Sequence, residues 1–200
     1  GIHADIGKIY GKDDEVNITV NGTVATVSDD NVLALNALGD ATNATVKATV
    51  SGELAELDGL TKTVGLLADM ELAITVTNAA TGSAGVASLN KISAGTTGTV
   101  TVASVSGKAA ELALLSESDA AAGTTGTQAY TIVVDDTATA AEGAAIAIAT
   151  SATTVDFSAK GITDAFVKVT DGTGIHADIG KIDAKDEDVN ITVNGTVATV

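Results

Sequence analysis

Short runs of alternating apolar and polar residues recur along this chain, separated by stretches rich in Ala, Leu and Glu. In Thr45-Val46-Lys47-Ala48-Thr49-Val50, successive side chains point to opposite faces, the period-two signature of a strand. Thr/Val-rich runs of this kind predict strands beginning near Thr23, Thr45, Leu72, Thr99, Tyr130, Thr154 and Val189. The stretches between them read as short helices. After the strand at 45–50, Ser51 is placed to act as an N-cap, and Leu54, Leu57 and Leu60 recur every three residues as one apolar stripe. The stretches AAEGAAIAIA (140–149) and GKAAELALL (107–115) are rich in Ala, which lets helices approach closely.

The predicted strands are spaced by roughly 22 to 35 residues, near the ~20–29 of leucine-rich repeats and similar strand-helix arrays. VSGELAELDGL (50–60) resembles VSGKAAELALL (105–115), and VSDDNVLALNAL (27–38) is a longer variant. One strand-helix rung cannot bury its apolar face alone, whereas stacked rungs bury a continuous core. The fold expected from this pattern is a β-rich repeat protein. It is read as a parallel β-solenoid or a strand-helix solenoid with rungs of roughly 25 residues, advancing about 30 Å over six or seven rungs. Tandem β-sandwich domains are the alternative.

A longer repeat encloses the short one. Residues 1–27, GIHADIGKIYGKDDEVNITVNGTVATV, align with residues 174–200, GIHADIGKIDAKDEDVNITVNGTVATV, at 23 of 27 positions. The differences are Tyr10/Asp183, Gly11/Ala184, Asp14/Glu187 and Glu15/Asp188, of which the last two keep their charge. The expected organisation is one tandem unit over residues 1–173, with the next copy starting at 174. Together with the missing initial Met, this suggests a piece of a longer chain. Within the duplicated text, Ile2, Ile6 and Ile9 form a helix-like stripe, and VNITVNGTVATV (16–27) follows. Asn21-Gly22 between two β-rich runs predicts a hairpin, because both residues tolerate the positive φ of a type I′ turn. A single strand with a bulge at Gly22 is the alternative. Val16, Ile18 and Val20 would share one face and Asn17 and Thr19 the other.

Composition narrows the function classes. Aromatics are 2% of the chain and Trp is absent, so the core is built from small aliphatic residues that suit regular stacking better than a deep ligand pocket. The net charge is −16, and every basic residue is Lys. A chain this acidic lacks the cationic face that phosphates require, which excludes nucleic acid as an expected partner. Strong acidity also fits work in salt water, where self-repulsion is screened. With no Cys there is no disulfide framework, and no apolar run approaches the ~18 residues of a membrane-spanning helix.

The chemically interesting residues have plain structural explanations beside them. His3 and His176, the only histidines, occupy the same repeat position; His3-Ala4-Asp5 alone is thin support for a metal or catalytic role. Acidic clusters lie at Lys12-Asp13-Asp14-Glu15, Asp29-Asp30, Asp135-Asp136 and Asp186-Glu187-Asp188. They make Ca2+ the one cofactor considered, yet calcium-loop spacings are missing, and turns and helix N-termini account for Asp equally well. Asn17, Asn21, Asn43, Asn190 and Asn194 begin N-x-[ST] sequons, common by chance in a Thr-rich chain. The Gly/Thr runs at 93–102 and 121–130 lack a phosphate-loop Lys and read as corners leading into strands; no strict T-x-T ladder supports an ice-binding face. No catalytic, cofactor-binding or metal residue is assigned, and the chain is read as not an enzyme.

ADIGKIDAKD (177–186), DDTATAAEG (135–143), GTVTVASVSG (98–107) and VSGELAELDGL (50–60) resemble repeats in very large surface proteins of marine cyanobacteria. The family includes a swimming-associated surface protein and adhesin-like arrays. The resemblance covers most of the chain, in common residues and without an evenly repeated phrase. It implies an extracellular or cell-surface location and a structural or adhesive role, and no catalytic residues. The leading expectation is a segment of a secreted rod, coat or filament, with a calcium-dependent adhesin as the alternative. Expected partners are neighbouring copies of itself and cell-surface polysaccharide.

Overall fold

The alternating Thr/Val runs fold as parallel strands, each with one face buried. The computed structural model describes residues 16–26, 29–60, 69–116, 128–152, 155–158, 160–170 and 174–194. The strands are β1 (Ile18–Thr26), β2 (Thr45–Gly52), β3 (Asp69–Val76), β4 (Ala80–Thr81), β5 (Val100–Gly107), β6 (Gln128–Val134), β7 (Val155–Asp156), β8 (Ile162–Ala165) and β9 (Ile191–Asn194). The helices, numbered in chain order, are α1 (Asp29–Gly39), α2 (Leu54–Leu57), α3 (Gly82–Ala94), α4 (Ala109–Leu112), α5 (Ala140–Ile148), α6 (Phe166–Val169) and α7 (Ala177–Asp183).

Seven strands form one all-parallel sheet, in the order β1-β2-β3-β5-β6-β7 with β4 pairing β5, and β8 and β9 form a second, two-stranded parallel sheet. Parallel neighbours need a crossover, and helices supply it here. The register from β2 to β3 is unbroken, Thr45↔Asp69 through Gly52↔Val76. Every second residue is therefore buried: Val46, Ala48 and Val50 on β2, Met70, Leu72, Ile74 and Val76 on β3, Tyr130, Ile132 and Val134 on β6. These residues face a row of neighbouring helices, α1 to α5 and then α7, which contributes Leu35, Leu57, Leu89, Leu112, Ile146 and Ile179 to the same core. The opposite face is exposed at Lys47, Thr49, Glu71, Thr75 and Thr101, and Lys47 pairs with Glu71 across the register at 2.6 Å.

The expected solenoid is corrected, and so is the alternative of β-sandwiches. What forms is an α/β domain with a seven-stranded parallel sheet alternating with helices, Rossmann-like in that alternation, with roughly equal helix and strand content rather than a β-rich one. The crossovers are not copies of one rung. Their helices have 11, 4, 13, 4 and 9 residues from α1 to α5. The extra strand β4 has two residues, and the pairing shifts register between Thr19 and Thr23 and between Val102 and Val105. The phrases 50–60 and 105–115 do fold alike, as a strand end, one helical turn and a buried closing Leu, but the rest of each crossover differs. Among the described residues the strand order has no reversal, and so no switch point of the kind at which doubly wound sheets open a ligand crevice.

Two local expectations also change. The Asn21-Gly22 hairpin does not form: β1 runs through as one strand, and Gly22, at φ 87°, sits in the register shift between Thr19 and Thr23. A hairpin would have left the second run without β2, whereas the through strand pairs Thr23 to Thr26 with Thr49 to Gly52. Ser51 does not cap a helix, because β2 continues through it to Gly52. The helix begins at Leu54, and the Glu56 carboxylate accepts from the Glu53 N–H at 3.3 Å. Leu57 and Leu60 are buried as the stripe requires, while Leu54 is half-buried.

Crossovers are pinned by side chains that satisfy strand-end backbone. Thr96 Oγ1 donates toward the Met70 and Leu72 carbonyls (2.7 and 2.9 Å) and accepts from the Leu72 and Gly98 N–H groups (2.8 and 2.9 Å). Thr150 does the same for Tyr130, and Thr42 donates to the Val16 carbonyl at 2.7 Å. A buried strand end with no such partner would leave orphan donors, each costing about 1–3 kcal/mol. Tyr130 itself is buried in the core, and burial pushes its phenol pKa well above the ordinary value.

Candidate functional site

The part of the fold with the most unusual geometry is the pair of strands that carry duplicated sequence. Ile18-Thr19-Val20-Asn21 opens β1 and Ile191-Thr192-Val193-Asn194 makes up β9. Among the described residues, each lies at the edge of its sheet.

The two copies use opposite edges. In a parallel ladder, alternate residues direct both backbone groups to alternate neighbours. Ile162 N–H donates to the Asn190 carbonyl at 2.8 Å. Asn190, Thr192 and Asn194 therefore face β8, and Ile191 and Val193 face away. At the other end, Thr77 N–H donates to the Gly52 carbonyl at 2.9 Å, which turns the even-numbered residues of β2 toward β3 and Thr45, Lys47 and Thr49 toward β1. The pair Thr19↔Lys47 then directs Ile18 to β2 and leaves Asn17 and Thr19 facing outward. Asn17 and Thr19 are the counterparts of Asn190 and Thr192. The edge with which β9 holds β8 is thus the edge that β1 leaves open among the described residues.

Side-chain burial differs in step. Ile18, Val20 and Val24 pack against the main core, while Asn17 and Thr19 are exposed, the facial division that the alternation predicts. On β9, Ile191 and Val193 are 38% and 42% exposed. Nearby, Ile175 and Val167 are exposed as well, so this end of the molecule carries apolar surface.

The β8–β9 pair depends on a close approach. Gly161, at φ 69°, precedes β8, and a Cβ there would lie 2.2 Å from the Asn190 carbonyl oxygen. An L-residue with a side chain is strained there twice, by backbone conformation and by space. Helix α7 anchors the duplicated segment from the other side. Ile179 and Ile182 are buried, and Ile182 lies over Gly143 of α5, where a Cβ would meet its Cδ1 at 2.6 Å. In the repeat stripe, Ile175, the counterpart of Ile2, stands before the helix and is exposed; residues 2, 6 and 9 lie outside the described residues.

The residues singled out from sequence take structural positions. His176 is the N-cap of α7, where Nδ1 accepts from the Asp178 N–H at 3.3 Å; His3 lies outside the described residues. Asp136 Oδ1 accepts from the Ala109 N–H (2.7 Å), and Asp186 accepts from Phe157 N–H and Asp188 N–H (2.8 and 3.2 Å). Their lone pairs are engaged with backbone. Residues 12–15 are not described, nor are the side chains of residues 29 and 30. Among the described residues, no three His, Asp or Glu side chains come together as a metal site. Asn17 Oδ1 accepts from the Thr45 N–H at 3.1 Å, tying the sequon to β2. The run at 93–102 forms the corner between α3 and β5, and residues 121–127 are not described.

Sequence reasoning passed over one polar cluster. Asp58 receives the Ser88 hydroxyl at 3.3 Å and forms an ion pair with Lys91, beside an open groove of about 340 Å³ lined by Leu54, Asn78, Thr81 and Gly85. A carboxylate shared by two donors on α3 links α2 to that helix. The Lys91 ammonium neutralises the carboxylate that holds the Ser88 hydroxyl, and the three side chains together clip the end of α2 to α3. At the end of the main sheet, hydrogen bonds from Ser158 hold the Asp156 carboxyl below its ordinary pKa. No helix among the described residues is long and apolar enough to cross a membrane.

No family model, no curated protein and no solved structure matches this chain.

Proposed function

We propose that the chain is a structural segment of a larger extracellular or cell-surface protein, contributing to a rod, coat or filament rather than to a reaction. The observation that carries this reading is the duplicated text at 1–27 and 174–200, whose strand stands at both ends of the fold. The same strand used twice, on opposite edges, has the geometry of a building block. Three further features support it. The small aliphatic core is continuous from β1 to α7. Asp and Glu side chains are spent on backbone hydrogen bonds that fix crossovers. The net charge of −16 keeps a large surface soluble and discourages non-specific lateral contact.

Electron microscopy of the native material decides the matter. Extended particles of constant width are the expected result. Compact, monodisperse particles of this module's size would overturn the reading.

A further inference from the structure

We propose that copies of this chain associate by parallel strand exchange, in which β8 of one copy pairs with the open edge of β1 of another in place of its own β9. The inference deepens the structural reading by naming the partner, a second copy, and the residues in contact. Its basis is a pairing already present within the chain. β8 and β9 pair in the register Ile162↔Ile191, Thr163↔Thr192, Asp164↔Val193 and Ala165↔Asn194. The β9 residues Ile191 to Asn194 are identical to Ile18 to Asn21 of β1. The residue that accepts from Ile162 N–H, Asn190, is likewise identical to Asn17. The backbone groups of Asn17 and Thr19, counterparts of those that β8 meets on Asn190 and Thr192, are therefore also offered by β1, on the edge that is directed away from β2 and is open among the described residues.

The implied register between copies is Ile162↔Ile18, Thr163↔Thr19 and Asp164↔Val20. Exchange also gives β8 a better-supported partner strand. On β9, Ile191 and Val193 remain exposed, whereas Ile18 and Val20 of β1 are already packed on the core beneath β2. A β8 strand that moves from β9 to a neighbour's β1 joins a sheet whose next strand and helix are in place. The contact is head to tail, so it leaves a free β8 edge or a free β1 edge at each end and propagates. Against it stands the intramolecular pairing with β9, which holds β8 at high effective concentration. Exchange must wait until β9 detaches.

The absence of Cys makes the test clean. One copy of this 200-residue chain carries Thr163→Cys and a second carries Thr19→Cys; the two are mixed, partly unfolded together, returned to native conditions and oxidised. Directly registered neighbours lie within disulfide reach. The control pairs Thr163→Cys with Thr75→Cys, an exposed position in the middle of the sheet. The expected result is a several-fold excess of the disulfide-linked heterodimer with Thr19→Cys over the control. A further increase is expected when Thr192→Pro is added to the Thr163→Cys chain, because it removes an N–H that faces β8 and loosens β9. Yields equal to the control, or no rise with Thr192→Pro, would overturn the exchange. Cross-linking without extended particles would leave the exchange standing and sink the filament reading. Extended particles without cross-linking would do the reverse.

Discussion

The same four residues, Ile-Thr-Val-Asn, occupy two environments in this molecule. In β1 they pair with β2, and Ile18 and Val20 rest on the main core. In β9 they pair with β8, and Ile191 and Val193 stay partly exposed. Their alternation is identical, so each copy separates its apolar and polar side chains to opposite faces. Burial differs because burial belongs to the neighbours. β1 has a following strand and helix, β2 and α1, to close over it; among the described residues β9 has neither. A strand's sequence fixes which face is apolar, and the stack around it decides what that face is worth.

The largest effect that would sharpen this contrast is expected from Gly161→Ala. It forces a Cβ against the Asn190 carbonyl and requires a left-handed backbone of a residue that resists it, a strain of about 1–3 kcal/mol or more. Amide hydrogen exchange should show β8 and β9 losing protection while β1 and β2 keep theirs. Equal loss at both ends would mean that the two sheets open as one unit, and the contrast would fail. Next in size is Thr42→Val. It removes the hydroxyl that donates to the Val16 carbonyl and accepts from the Ala44 N–H, at a cost of about 1–2 kcal/mol. Denaturant unfolding gives the total, and exchange at the start of β1 should quicken with no change at β9. The smallest and most direct comparison is Ile18→Ala against Ile191→Ala. The first should cost about 1 kcal/mol, since a half-buried side chain loses core contact; the second should stay within about 0.5 kcal/mol. Matching losses would show that β9 is as well supported as β1.

Particular elements show how far the sequence could be read. Thr45 was the expected start of β2 and is its first residue; AAEGAAIAIA was expected to be helical, and α5 covers Ala140–Ile148. Local alternation and Ala-rich composition dictate these, because they act within one turn or one strand. Ser51 misled because a Ser inside a Thr/Val run is as compatible with strand as with capping, and the ladder to β3 carried the strand on to Gly52. Asn21-Gly22 misled for a related reason. The dipeptide permits a tight turn, but pairing of residues on both sides with β2 outweighs it, and the positive φ of Gly22 is absorbed as an irregularity. The solenoid expectation treated like phrases as like rungs; crossovers of different helix length and the separate β8–β9 sheet were not written in those phrases. The significance of Gly161 had no sequence signal at all, since it arises from a carbonyl 29 positions away in the chain.

By itself, the sequence determined the alternating faces of the strands, the helices of Ala and Leu, the acidity and the duplicated ends. These follow from side-chain chemistry and from spacing along a single segment. Only the tertiary structure decided the strand order, the burial of one sheet face, the clips made by Thr42, Thr96 and Thr150, and the opposite edges on which the duplicated strand is used. Those depend on which backbone groups of distant segments meet, and a hydrogen bond across a crossover leaves no periodic trace in either segment.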